Sequence, residues 1–111
     1  MVAYDERLAG RVRDILADRP GVTQQRMFGG LAWLVRGNMA VTVRGKGGLL
    51  VRVAPTDQDA MLAEAGTAVM VMRGRPMRGW ITVAPEVCAT PSDLATWVER
   101  GLTYAFTLPA K

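Results

Sequence analysis

Leu31-Ala32-Trp33-Leu34-Val35, Met39-Ala40-Val41-Thr42-Val43-Arg44 and Leu49-Leu50-Val51-Arg52-Val53 are three apolar runs, separated by Arg36-Gly37-Asn38 and Gly45-Lys46-Gly47-Gly48. In the second, Met39, Val41 and Val43 alternate with Ala40, Thr42 and Arg44. In the third, Leu49, Val51 and Val53 alternate with Leu50 and Arg52. A period of two throws successive side chains to opposite faces, so residues 23–53 read as a β-meander with one wet face. The register of its first hairpin depends on the loop. Three loop residues would set Leu31, Trp33 and Val35 on the face of Val41; two or four would set Ala32 and Leu34 there. Upstream, the short run Gln24 to Phe28 meets Gly29-Gly30, which suits a tight bend or bulge.

Outward from the meander the period changes to that of helices. Leu8, Val12, Ile15 and Leu16 form one apolar stripe over residues 5–18, with Asp5 and Glu6 at the positive end of the helix dipole and Pro20-Gly21 as the stop. Residues 55–65 read as a short second helix opened by Pro55, contacting the core through Met61, Leu62 and Ala65, and stopped by Gly66. Val69–Met72 and Gly79–Val83 read as a second hairpin, joined by an arginine-rich loop. Thr90-Pro91-Ser92-Asp93 is a helix start with cap, first-turn proline and acid. Leu94, Trp97, Val98, Gly101, Leu102, Ala105 and Phe106 then trace the stripe of a last helix ending near Pro109. The expected order is α-β-β-β-α-β-β-α: one α+β domain over residues 1–111, two layers, a five-stranded antiparallel sheet with helices on one face.

With 111 residues and 50% hydrophobic content, the chain can bury a core without disulfides or metals. It has no histidine, which removes the commonest general acid/base and the commonest metal ligand. Cys88 is the only cysteine, so no internal disulfide or Cys-x-x-Cys site can form, and it reads as a small, half-buried turn residue in a reducing compartment. Glu64, Glu86 and the helix acids form no recognisable catalytic pair. No segment offers the ~20 apolar residues that a membrane span needs, and the N-terminus lacks a signal-peptide core. These features point to a cytoplasmic, non-enzymatic protein with no cofactor, no metal and no membrane partner.

The formal net charge is +4, and residues 21–56 carry Arg26, Arg36, Arg44, Lys46 and Arg52 without a single acid. Gly45-Lys46-Gly47-Gly48 lacks the hydroxyl and following helix of a phosphate loop and reads as a turn. Met27-Phe28-Gly29-Gly30 reads as a strand end and bend, with Met27 or Phe28 in the core. Arg73, Arg75 and Arg78, on a loop stiffened by Pro76 and followed by Trp80, are the candidate binding residues. Guanidiniums hold phosphates or carboxylates bidentately, and Trp80 can stack on a base or on an arginine. The competing reading is a solvated hairpin loop with Trp80 in the core. Trp33, Trp80, Trp97 and the seven methionines could line a peptide groove, but in so small a chain they are expected to fill the core.

Several of these motifs occur together in one known family. Ala3-Tyr4-Asp5-Glu6, Met27-Phe28-Gly29-Gly30-Leu31-Ala32-Trp33-Leu34-Val35, Leu50-Val51-Arg52-Val53-Ala54-Pro55, Gly74-Arg75-Pro76-Met77-Arg78-Gly79-Trp80, Leu94-Ala95-Thr96-Trp97-Val98-Glu99-Arg100 and Leu108-Pro109 resemble the N-terminal domain of the TfoX/Sxy competence regulators. The resemblance spans nearly the whole chain. It implies a fold similar to the secretion-chaperone-like class and a part in gene regulation. Full-length members carry a second, helical C-terminal domain, and a chain ending at Lys111 would be the first domain standing alone. The resemblance supplies no catalytic residues. The functional expectation is therefore a regulatory or protein-interaction domain with protein partners, for which a homodimer is compatible. The alternative is nucleic-acid or anion binding through the basic sheet and arginine loop.

Overall fold

The computed structural model describes residues 3–27 and 29–111. Its elements are α1 (Glu6–Leu16), β1 (Val22–Met27), β2 (Gly30–Val35), β3 (Asn38–Val43), β4 (Leu49–Arg52), a 3-10 turn (Pro55–Asp57) running into α2 (Gln58–Leu62), β5 (Thr67–Met72), β6 (Arg75–Val83), a second 3-10 turn (Pro85–Cys88) and α3 (Pro91–Phe106). The six strands form one antiparallel sheet in the order β1-β2-β3-β4-β6-β5. The expected α+β class with an antiparallel sheet holds. The five-strand count and the order α-β-β-β-α-β-β-α do not, because Val22–Met27 is a sixth strand ahead of the meander. That strand lies at an edge, and its central residues Thr23, Gln24, Gln25 and Arg26 are all exposed, so it carries no alternation to read. Phe28, one of the two residues expected in the core, lies outside the described residues; Met27 is half-buried.

The first hairpin resolves its register by an unexpected route. Its loop is the two-residue Arg36-Gly37, with φ of 49° and 87°, the pair of positive angles that a type I′ turn requires. Two loop residues alone would have brought Ala32 and Leu34 to the face of Val41. Instead Trp33 pairs with Val41 and Leu34 with Met39, so Ala40 is an extra residue, a bulge that shifts the ladder by one. Leu31 and Trp33 consequently share the core face with Val41 and Val43.

One core joins that face to the helices. Trp33, Val35, Val41, Val43, Leu49, Val51, Ile81 and Val83 from the sheet meet Leu8, Val12 and Leu16 of α1 and Leu94, Trp97, Val98, Leu102 and Ala105 of α3, with Met61 and Leu62 of α2 at the margin. The helix starts follow the sequence signals. Arg7 and Leu8 donate their backbone N–H groups to Asp5 Oδ1 at 2.9 and 3.1 Å. Thr90 accepts from the N–H of Asp93 at 3.3 Å and donates to its carboxylate at 2.8 Å. Gly101 lets α3 rest on the bulge, since a Cβ there would stand 2.5 Å from the Ala40 carbonyl oxygen. Cys88, expected half-buried in a turn, is 1% exposed and belongs to the core, and burial pushes its thiol pKa up to about 11.

Candidate functional site

The sheet face turned away from the helices holds Gly30, Ala32, Thr42 and Leu50, by the same alternation that sends Leu31, Val41, Val43 and Val51 inward. The sequence led us to expect a wet face here. Yet Ala32 is 0% and Thr42 7% exposed, although no helix packs on them. Val69 pairs with Ile81 but Met70 pairs with Met77, so Arg78, Gly79 and Trp80 bulge out of β6 together. Gly79 makes the bend at φ +88°, donating its N–H to Gln58 Oε1 at 2.5 Å while its carbonyl accepts from Val53 at 2.8 Å. Beyond this bulge the β5–β6 tip reaches the groove that Met27 of β1 also lines. In a flat sheet of six strands those two edges would stand ~24 Å apart. Here they line a single groove of about 350 Å³, so the sheet is coiled into a trough.

The lining of this groove is distinctive. Met27, Met39, Met70 and Met72 surround it with Leu50, and among the described residues Arg44, Lys46 and Arg73 are its only charged ones. Thr42 donates its hydroxyl to Met39 Sδ at 3.3 Å and fixes that side chain along the floor. Among the described residues no carboxylate pairs with Arg44, Lys46 or Arg73. None of the six described methionines is fully buried, whereas Trp33 and Trp97 are 3% and 2% exposed. The tryptophans thus fill the core as expected, and the methionines, with which they had been grouped, do not.

A larger groove of about 610 Å³ runs between α3 and the Pro55–Leu62 segment, lined by Val53, Met61, Glu99, Arg100 and Tyr104 among others. Of its charged residues, Glu99 and Arg100 are already engaged, while Asp57 has no ion-pair partner among the described residues. Glu99 is ion-paired with Arg19, and Arg100 meets Glu64 at 2.8 Å while lying over the Trp97 ring at 4.4 Å. Its one free charge among the described residues is the Asp57 carboxylate, whereas the methionine groove sets three unpaired cations beside an apolar lining.

The four candidate residues from the sequence do not gather at one point. The expected arginine loop is only Arg73-Gly74, a two-residue turn with φ of 52° and 76°. Arg75, Pro76 and Met77 already belong to β6, paired with Met72, Val71 and Met70. Pro76 is tolerated there because β4 pairs only with residues 80–83, leaving that side of β6 without a ladder. Arg73 lines the methionine groove, Arg75 is exposed in the strand, and Arg78 donates to the Pro55 carbonyl at 3.3 Å. Trp80 is half-buried and stacked on an arginine of its own chain, with the Arg52 guanidinium 5.0 Å from its ring centre and 5.7 Å from that of Tyr104. Sequence reasoning missed Arg44, Lys46 and the four groove methionines as a set. The available signal was Met70 and Met72 two residues apart on an uncharged strand. Among the described residues, no three His, Cys, Asp or Glu side chains come together as a metal-binding group, and no helix is long and apolar enough to cross a membrane.

Comparison with known proteins agrees with the motif resemblance. The profile of the TfoX N-terminal domain family matches residues 14–105. No curated protein and no solved structure matches the chain. The matched span takes in the meander, both hairpins and nearly all of α3, so this chain belongs to the TfoX N-terminal domain family.

Proposed function

We propose that the chain is a non-enzymatic regulatory domain that works by holding another protein, and that the methionine groove is where it does so. Family membership supports a competence-regulator-like role. The observation that carries the reading is the groove lining: four unbranched, polarizable methionines beside three cations with no carboxylate. Methionine adapts to irregular apolar surfaces at low cost, which suits a partner side chain in the trough. The unpaired Arg44, Lys46 and Arg73 favour a partner carrying acidic residues next to its apolar anchor, through complementarity that steers and orients binding. Nucleic-acid binding draws less support, since Trp80 is stacked on Arg52 and Arg78 is held at Pro55, away from Arg73.

Affinity capture from the source cell tests this, using the wild type, Met70→Glu/Met72→Glu, Arg44→Glu/Lys46→Glu and, as a distant control, Arg78→Ala. Both groove variants should lose an enriched partner by roughly tenfold or more, the loss expected when an interface anchor worth more than ~1.4 kcal/mol is removed. The Arg78 variant should retain it. Capture unchanged by both groove variants, or no partner enriched by the wild type, refutes the reading. Tight binding of DNA or RNA probes that weakens steeply with salt would put the anion-binding alternative in its place.

A further inference from the structure

The two edges of the sheet are treated differently by the sequence. β1 presents Thr23, Gln24, Gln25 and Arg26, all exposed, a polar and charged edge that discourages pairing with other strands. β5, at the opposite edge, reads Thr67-Ala68-Val69-Met70-Val71-Met72. It has no charge and no proline, and the irregularity in its ladder is an insertion in β6. Val71 is 54% and Met72 41% exposed, two of the three large apolar residues left exposed on the described surface. Among the described residues no strand pairs with its outer side. Such an edge is a template for strand addition unless something covers it.

We infer that β5 is covered by β5 of a second copy of this chain, the two strands running antiparallel about a two-fold axis. Full overlap of residues 67–72 sets Thr67 against Met72, Ala68 against Val71 and Val69 against Met70. These are β-branched and apolar pairs with no like charges opposed. The flanks match as well. Past one end of the strand lies Arg73, with Arg75 opposite Met72 on the inner neighbour β6, and past the other end lies Glu64, exposed and shared at present with Arg100. A two-fold axis brings the arginines of each copy to the glutamate end of the other, twice over. The charge arrangement thus selects the chain's own edge, and it selects the antiparallel sense. The contact joins two sheets into one of twelve strands, and Val71 and Met72 belong both to this edge and to the groove lining.

Sedimentation velocity on the full chain up to ~100 µM tests the inference, with thermal melts confirming that each variant is folded. The wild type should sediment as a dimer, and Val71→Lys, which guards the edge with a charge, as a folded monomer whose melting temperature falls only by the dimer's concentration-dependent contribution. Arg75→Glu should weaken the dimer by roughly three- to tenfold, and adding Glu64→Lys should restore it. Neither Arg75 nor Glu64 lines the groove, so this pair separates edge pairing from groove binding. A wild type monomeric at the highest concentration, or a dimer that Val71→Lys leaves intact, overturns the inference. A dimer indifferent to the charge exchange overturns the two-fold antiparallel arrangement.

Discussion

Replacing Gly101 by alanine tests whether α3 sits on the β3 bulge as described. The added Cβ would lie 2.5 Å from the Ala40 carbonyl oxygen, 3.2 Å from its carbon and 3.2 Å from Val51 Cγ1. Carbon and carbonyl oxygen normally approach no closer than ~3.3 Å. Either α3 lifts by roughly 0.8 Å or the bulge must move, and both lie in close-packed core. Overpacking of this kind costs ~1–3 kcal/mol, against which the helix gains ~0.8–1 kcal/mol from losing a glycine. The net expectation is a loss of up to about 2 kcal/mol. Gly10 supplies the control. It too lies inside a helix, but nothing stands within 4 Å of its would-be Cβ. Gly10→Ala should therefore stabilise by ~0.5–1 kcal/mol. Urea unfolding should show the two variants moving in opposite directions with unchanged slope. A Gly101→Ala protein stabilised like Gly10→Ala would refute this packing.

Two further outcomes follow from single residues. Burial raises the Cys88 thiol to about 11 in the folded protein, above its ordinary value of 9.0. Its contribution to stability is present below pH 9 and lost as pH rises toward 11; Cys88→Ala should remove that part of the slope, and a thiol reagent should label Cys88 at pH 8 only as fast as the protein opens. Arg36 donates to the carbonyls of Phe106 and Leu108 at 2.7 and 3.2 Å from a backbone held at φ 49°, while the N–H of Lys111 donates to its carbonyl at 2.9 Å. Arg36→Gly keeps the turn but removes the clamp, so hydrogen exchange at residues 107–111 should accelerate roughly fivefold, the equivalent of ~1 kcal/mol; unchanged exchange would show that the clamp contributes nothing.

The parts of the fold legible in the sequence were those where one residue type decides one outcome. Thr90-Pro91-Ser92-Asp93 and the apolar stripe behind it defined α3, and alternation over residues 39–53 defined the meander. β1 escaped because an exposed edge strand has no reason to alternate. The bulge at Ala40 escaped because its cause is tertiary, the seat of α3 on its carbonyl. The site was harder. Arg73, Arg75, Arg78 and Trp80 are close in sequence, yet the turn at Arg73-Gly74 and the bulge at 78–80 send them to different surroundings. The groove residues come from four strands and two turns, and only the coiling of the sheet makes them neighbours.

Oxidation footprinting of the methionines, with and without the captured partner, tests the interaction surface most directly. The account predicts that Met27, Met39, Met70 and Met72 are shielded from oxidation in the complex, while Met61, on the helix side, oxidises as it does in the free protein. Protection confined to Met61, with the four groove methionines unchanged, would contradict it.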